Sequence, residues 1–253
     1  MGWREGYLDA ILVPLGLCLI IGYHIRLYHK VRVRPWDTVI AINHMNRRAW
    51  VHNMMTDSRG NGVLAVQTIR NNIMASTLLA GTAITLSSLI AALVAGSSNS
   101  YNSVLVLGSL DDAVLGVKYL SILCCFLSSF VCHVQAIRYW SHVSFLITVP
   151  VGDMAPGLSP EYVSRMLKRS SNFFSVGLRF YYISFPLLLW FFGPIPMLVC
   201  SVAMVLLLEI VDTAKDFKLT LDGLHHHDPK GDFKVANGQI SEEIRKRDIE
   251  ASD

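Results

Sequence analysis

The stretch that decides the fold is Val176–Val211, "VGLRFYYISFPLLLWFFGPIPMLVCSVAMVLLLEIV". Its 36 residues would make one straight helix about 54 Å long at ~1.5 Å per residue. A bilayer core needs only about 20 residues. Gly193, Pro194 and Pro196 fall together in its middle. Proline removes a backbone donor and keeps the residue before it out of the α conformation. The stretch therefore reads as two short spans, 176–192 and 194–211, joined by a tight turn at the membrane surface. Pro186 would kink the first of them. One long broken helix, giving four spans in all, is the alternative.

Upstream lie three more apolar runs of membrane-crossing length, at about 8–27, 72–95 and 119–139. The third continues apolar through "WSHVSFLITVP" to Pro150, so its helix should run on beyond the bilayer. Hydrophobic residues make up 52% of the chain and charged residues 16%, which departs from an average soluble domain in the membrane direction. A mean hydropathy of +0.42 agrees. The fold class is thus all-α, a multipass transmembrane bundle with five spans favoured. No cleavage site follows the first run, which is expected to remain as an anchor.

Charge sets the orientation. The first loop carries Arg26, Lys30, Arg32, Arg34, Arg47, Arg48, Arg59 and Arg70 against Asp37 and Asp57. The third loop adds Arg165, Lys168 and Arg169, whereas the second has Asp111 and Asp112 with only Lys118 at its edge. The positive-inside rule then places loops one and three in the cytoplasm and the N-terminus outside. Five spans put the C-terminus in the cytoplasm, with the protein in the plasma membrane or another secretory-pathway membrane. The membrane domain covers 1–216. The tail, 217–253, is polar and aperiodic and is expected to be mostly disordered, with a short helix at 241–250.

The first loop contains "RPWDTVIAINHMNRRAWVHNMMTDSRGNG" (Arg34–Gly62). Pro35 suits a first helical turn and Asp37 complements the positive end of the helix dipole, so a helix is predicted over about 35–57. Trp36, Val39, Ile40, Trp50, Val51 and Met54 share one face. Such a helix could lie at the inner interface, with Trp36 and Trp50 at headgroup depth and Arg47 and Arg48 near anionic lipid phosphates. Packing on the third loop or on another subunit is the competing placement. A nucleic-acid partner is not expected, because topology already accounts for basic residues beside a membrane.

The blocks "NHMNRRAWVHNMMTDSRGNGVLAVQTIRNNIMASTLLAGTAITL", "AIRYWSHVSFLITVP" and "NFFSVGLRFYYISFPLLLWFF", in this order, resemble the plant and bacterial membrane proteins of domain-of-unknown-function family 599, the plant branch most closely. The resemblance runs from about Tyr7 to Asp216. It implies a multipass helical protein and brings with it no activity, cofactor or catalytic residue.

In span two, Gln67, Arg70 and Asn71 are spaced to share a face at the cytoplasmic end, and small or hydroxyl residues including Thr82 and Thr85 continue toward Ser88. Small residues permit close helix packing, so this face reads as packing or as the lining of a path. Arg138 and Arg179 stand at the inner ends of spans three and four, where a long side chain can snorkel. No charged residue falls at mid-bilayer by this reading, which speaks against a proton-coupled transporter with a central carboxylate. His133 reads as a hydrogen-bonded packing residue. The five cysteines all lie in apolar runs and read as buried apolar groups. The "HHH" at His225–His227 is a weak metal-binding pattern.

No H-E-x-x-H, G-x-S-x-G or phosphate loop occurs, so neither an enzyme nor a cofactor is expected. The leading expectation is a membrane scaffold that contacts lipid or partners through its basic cytoplasmic surface and self-associates as a homo-oligomer. An oligomeric channel or small-solute transporter lined by span two is the alternative, and an intramembrane enzyme a minor one.

Overall fold

A computed structural model describes residues 2–34, 37–96, 112–150, 155 and 157–213. They form six helices: α1 (Gly2–Val33), α2 (Val39–Thr56), α3 (Ser58–Gly96), α4 (Asp112–Leu146), α5 (Pro160–Leu189) and α6 (Pro194–Asp212). No strand occurs among the described residues, apart from a single antiparallel bridge between Thr38 and Thr213. The chain is an all-helical bundle. Helices α1, α3, α4 and α6 each hold a segment long and apolar enough to cross a membrane. Large apolar side chains such as Ile11, Leu78, Leu120 and Leu206 point outward from them, the arrangement that suits a lipid solvent.

The long apolar stretch is divided where its prolines and glycine stand. Helix α5 winds down as the Trp190 amide donates to Pro186 O at 3.0 Å and the Gly193 amide to Trp190 O at 3.2 Å. Gly193 then adopts φ 139° and ψ 169°, a conformation essentially restricted to glycine. Pro194 opens α6, where its missing donor costs nothing. The two helices return antiparallel, so that Arg179 of α5 meets Asp212 of α6.

Helix α4 packs between α3 and α5, α6 joins α5 to α1, and α2 crosses over α5 with contacts to α3 and α6. Among the described residues, three apolar cores fill the joints. One holds Val51, Met54 and Met55 of α2 against Ile69, Trp140, Val143 and Leu167. A second, at the other end of the bundle, gathers Val13, Ile90, Phe126, Leu187, Trp190 and Met197. The third closes α1 on α6 through Tyr23, Leu27 and Leu208.

Helices α3 and α4 contain 39 and 35 residues. At ~1.5 Å per residue they are about 58 and 52 Å long, well beyond a hydrocarbon core of about 30 Å. At the α2 end, α2 and the adjoining parts of α3, α4 and α5 make a small four-helix piece continuous with the bundle.

Helix boundaries depart from the sequence expectation at several places. Helix α1 runs from Gly2 to Val33 instead of over 8–27, and α4 starts at Asp112 instead of near Tyr119. Helix α2 starts at Val39 instead of near 35, with Thr38 at its N-cap, so Asp37 precedes the helix and its first turn holds no acidic residue. Helix α3 begins at Ser58 instead of near Asn72, because the Asp57 carboxylate accepts the Gly60 amide at 3.0 Å and caps a new helix straight after α2. Helix α5 begins at Pro160, well ahead of Val176, with Ser159 accepting the Tyr162 amide at 3.2 Å, proline in the first turn and Glu161 beside the dipole. Helix α4 stops at Leu146 and gives way to turns before Pro150.

Candidate functional site

Helices α1, α5 and α6 bring a set of polar side chains together that sequence reading had left scattered. Arg179 Nη2 donates to both carboxylate oxygens of Asp212, at 2.9 Å each. The Tyr23 hydroxyl donates to Asp212 Oδ2 at 2.6 Å. The side chains of Arg179 and Asp212 are only 18% and 10% exposed. Burial of this kind requires pairing, since an isolated charge withdrawn from water costs several kcal/mol. His24 completes the group. Its Nδ1 lies 2.8 Å from Ile20 O, and Arg179 Nη1 makes a long contact of 3.5 Å with its Nε2. Those partners are both satisfied by the tautomer with its hydrogen on Nδ1.

Two more contacts continue the clasp toward the end of α1. Arg26 pairs with Glu209 at 2.8 Å on the surface, and Lys30 Nζ reaches Thr213 Oγ1 at 3.4 Å. Three consecutive turns of α1 therefore grip the last two turns of α6.

A second polar group marks the opposite end of the bundle. Trp190 Nε1 donates to Asp9 Oδ1 at 3.4 Å, and the ammonium of Lys118, itself 1% exposed, lies 5.3 Å from the Trp190 ring centroid. Asp9 and Tyr23 are 14 residues apart on α1, or about 21 Å along its axis. The bundle is thus laced by charge at two levels, with apolar packing between.

Between these levels α4 meets α5 at close quarters. Ser129 Oγ donates to Gly177 O at 2.9 Å. His133 is fully buried, and neither ring nitrogen has a hydrogen-bond partner among the described residues. The hydrogen-bonded packing role read from the sequence is therefore only half right: the ring packs edge-on to Phe174 at 5.4 Å without a polar partner. One helix further, the Tyr181 hydroxyl donates to Leu79 O at 2.6 Å and lies 2.6 Å from Thr82 Oγ1.

The residues singled out in span two lie on the outer face of α3. Gln67, Arg70, Asn71, Thr82 and Thr85 are all exposed on the single chain. Thr85 Oγ1 donates to Gly81 O at 2.8 Å, and Thr82 is engaged with Tyr181 and with Leu79 O. Of the residues placed at the lipid surface, Trp36 lies outside the described residues. Arg48 is exposed, but Trp50 packs half-buried against the α2 core and Arg47 donates to Ser171 Oγ of α5. Desolvation lowers the Arg47 pKa from its ordinary value, and the group remains a cation. Arg138 is exposed on α4, whereas Arg179 is drawn into the clasp.

Sequence reading passed over Asp212, which sits just beyond the last span, and Tyr23, one apolar-looking tyrosine within the first. Their signal was weak: a carboxylate at the end of α6 and an arginine within α5 have no fixed spacing. Among the described residues no three His, Cys, Asp or Glu side chains converge as metal ligands, and the cysteines are free thiols. His225–His227, the tail and the expected helix at 241–250 lie outside the described residues.

Neither the curated proteins nor the solved structures yielded a match to this chain. A family model does match, over residues 11–217, which takes in every helix described except the first turns of α1. The chain belongs to the DUF599 family, proteins of unknown function.

Proposed function

We propose that this protein is a non-enzymatic, five-span membrane scaffold whose basic end is cytoplasmic and contacts anionic lipid headgroups and partner proteins. In this reading α1, α3, α4, α5 and α6 cross the bilayer, the N-terminus is outside and the C-terminus inside, and the chain is of the plant branch of its family. The observation that carries the reading is the segregation of charge. Arg34, Arg48, Arg70, Arg138, Arg165 and Arg169 are exposed at the α2 end. Three carboxylates there are engaged: Glu209 with Arg26, Asp212 with Arg179, and Asp57 with the first turn of α3. Each basic group near an anionic surface is worth roughly 1 kcal/mol before screening.

Self-association is assigned to the outer face of α3. A side chain at Gly81 would meet nothing within 4 Å, and the hydroxyls of Thr77, Thr85 and Ser88 are turned back on their own helix. Hydroxyls satisfied in this way can face lipid or a neighbouring helix without water. That feature supports packing over permeation for the face containing Asn71, Thr82 and Thr85.

Two measurements test the proposal. A single cysteine at Arg48 or Arg165, with the native cysteines removed, should react with an impermeant thiol reagent only after the membrane is breached. Labelling in intact cells would overturn the orientation. Reconstituted protein should restrict the motion of spin-labelled phosphatidylglycerol more than that of phosphatidylcholine, and added salt should reduce the difference. Equal restriction would overturn the anionic-lipid contact.

A further inference from the structure

The outward apolar surface is interrupted between α1 and α5 by a groove of about 350 Å³, lined by Ile20, Ile21, His24, Ile25, Tyr28 and Ile183. Both nitrogens of His24 are directed elsewhere, one to Ile20 O and the other toward Arg179. The walls of the groove are therefore apolar, four isoleucines and the ring of His24, with Tyr28 at one end. A cavity without polar partners does not hold water well, and hydrocarbon fills it at no such cost.

The charge lies at one end only. One turn beyond Tyr28, the guanidinium of Arg32 rests 4.6 Å from the Tyr28 ring centroid and is exposed. Depth matches this polarity. Counting from Leu8, a core of about 30 Å is crossed by roughly 20 residues. Tyr28 and Arg32 then stand in the headgroup layer, while Ile20, Ile21 and Ile25 lie in hydrocarbon just inside it. A ligand that fits is apolar along two helical turns and anionic at the same end.

We infer that this groove is a binding site for one anionic glycerophospholipid of the adjacent leaflet. An acyl chain lies along α1 over Ile21 and Ile25, and the phosphate sits against the Arg32 guanidinium. Arginine suits that role because its planar fork matches phosphate oxygens. Stacking on Tyr28 holds the fork in place. The inference rests on the basic-face reading proposed above and narrows it to a single site.

The test uses the full-length protein reconstituted in bilayers, with spin-labelled phosphatidylglycerol and phosphatidylcholine as probes. Wild type should favour the anionic probe by at least about fivefold, the factor one basic group near an anionic surface supplies. Arg32→Gln should lower that preference by about fivefold, down to what the remaining basic residues of the face supply, and Arg32→Lys should retain part of it. Ile25→Trp, which fills the groove without touching its charge, should lower the restricted fraction of both probes. Arg32→Gln changes only an exposed side chain, so gel filtration should show it monodisperse. If wild type favours the anionic probe and neither Arg32→Gln nor Ile25→Trp changes that, the groove assignment is overturned while the basic-face reading stands. If wild type has no preference, both fall. Disulfide-linked dimers through Ile21→Cys, made with the nearby Cys18 replaced by alanine, would place a second copy in the groove and overturn the lipid assignment.

Discussion

Gly177 of α5 lies so close beneath His133 of α4 that a β-carbon on the glycine would come within 2.7 Å of the imidazole Nε2. His133 is fully buried and hemmed by Phe174 and Tyr181, so the ring has little room to retreat. The glycine is what lets the two helices approach until Ser129 can bond the Gly177 carbonyl. Gly177→Ala should therefore destabilise the bundle by about 1–3 kcal/mol, the usual cost of overpacking. His133→Ala in the same chain should recover much of that loss. Thermal unfolding of the two single variants and the double in detergent gives the coupling. Simple additivity would show that the contact does not limit helix approach.

The Arg179–Asp212 pair yields a different pattern. Removing one partner of a buried pair leaves the other uncompensated and costs about 3–5 kcal/mol. Arg179→Met and Asp212→Leu should each be severely destabilising, and the double substitution much less so than their sum. Tyr23→Phe removes one hydrogen bond to a charged acceptor and should cost about 1.5–3 kcal/mol. Denaturation midpoints of these four proteins check the cycle. Nearly neutral single variants would mean that the clasp is solvated and contributes little.

Asp57 caps α3 while closing α2, and the cap depends on the residue it reaches. A β-carbon at Gly60 would stand 2.5 Å from Asp57 Oδ2. Gly60→Ala should thus displace the carboxylate, and Asp57→Ala should remove it. Each should cost about 0.5–2 kcal/mol. The loss should be local, appearing as faster amide exchange over the first turns of α3 while the spans stay protected. Uniformly faster exchange along the bundle would contradict a capping role.

What could be read beforehand follows from the range of each force. The all-helical apolar character and the break at Gly193–Pro196 are set by local composition, and they were legible in the residues themselves. The starts of α3 and α5 depend on caps that were present in the text as "DSRG" and "SPEY". Hydropathy bounds the apolar spans and is blind to a helix that continues beyond them. The α2 placement turned on tertiary packing. Trp50 and Arg47 look alike whether they face lipid or α5, and only the fold distinguishes the two. Asp212, Tyr23 and Arg179 meet across 189 residues of chain, a distance over which no periodicity operates.

Thr82 and Tyr181 decide whether the polar face of α3 conducts or packs. The Thr82 hydroxyl is 2.6 Å from Tyr181 Oη and 2.9 Å from Leu79 O, and Tyr181 donates to the same carbonyl. The threonine thus stitches α3 to α5, although its surface is exposed on the single chain. Thr82→Leu leaves Tyr181 its bond to Leu79 O, so the loss should be about 0.5–1.5 kcal/mol, the net value of one hydrogen bond. Tyr181→Phe removes both contacts and should cost more. A lining role makes the opposite prediction: ion conductance in planar bilayers that falls in Thr82→Leu without loss of stability. Absence of conductance from wild type, together with a lowered unfolding midpoint for both variants, is the expected outcome. Conductance that Thr82→Leu abolishes at unchanged stability would return α3 to the lining of a path.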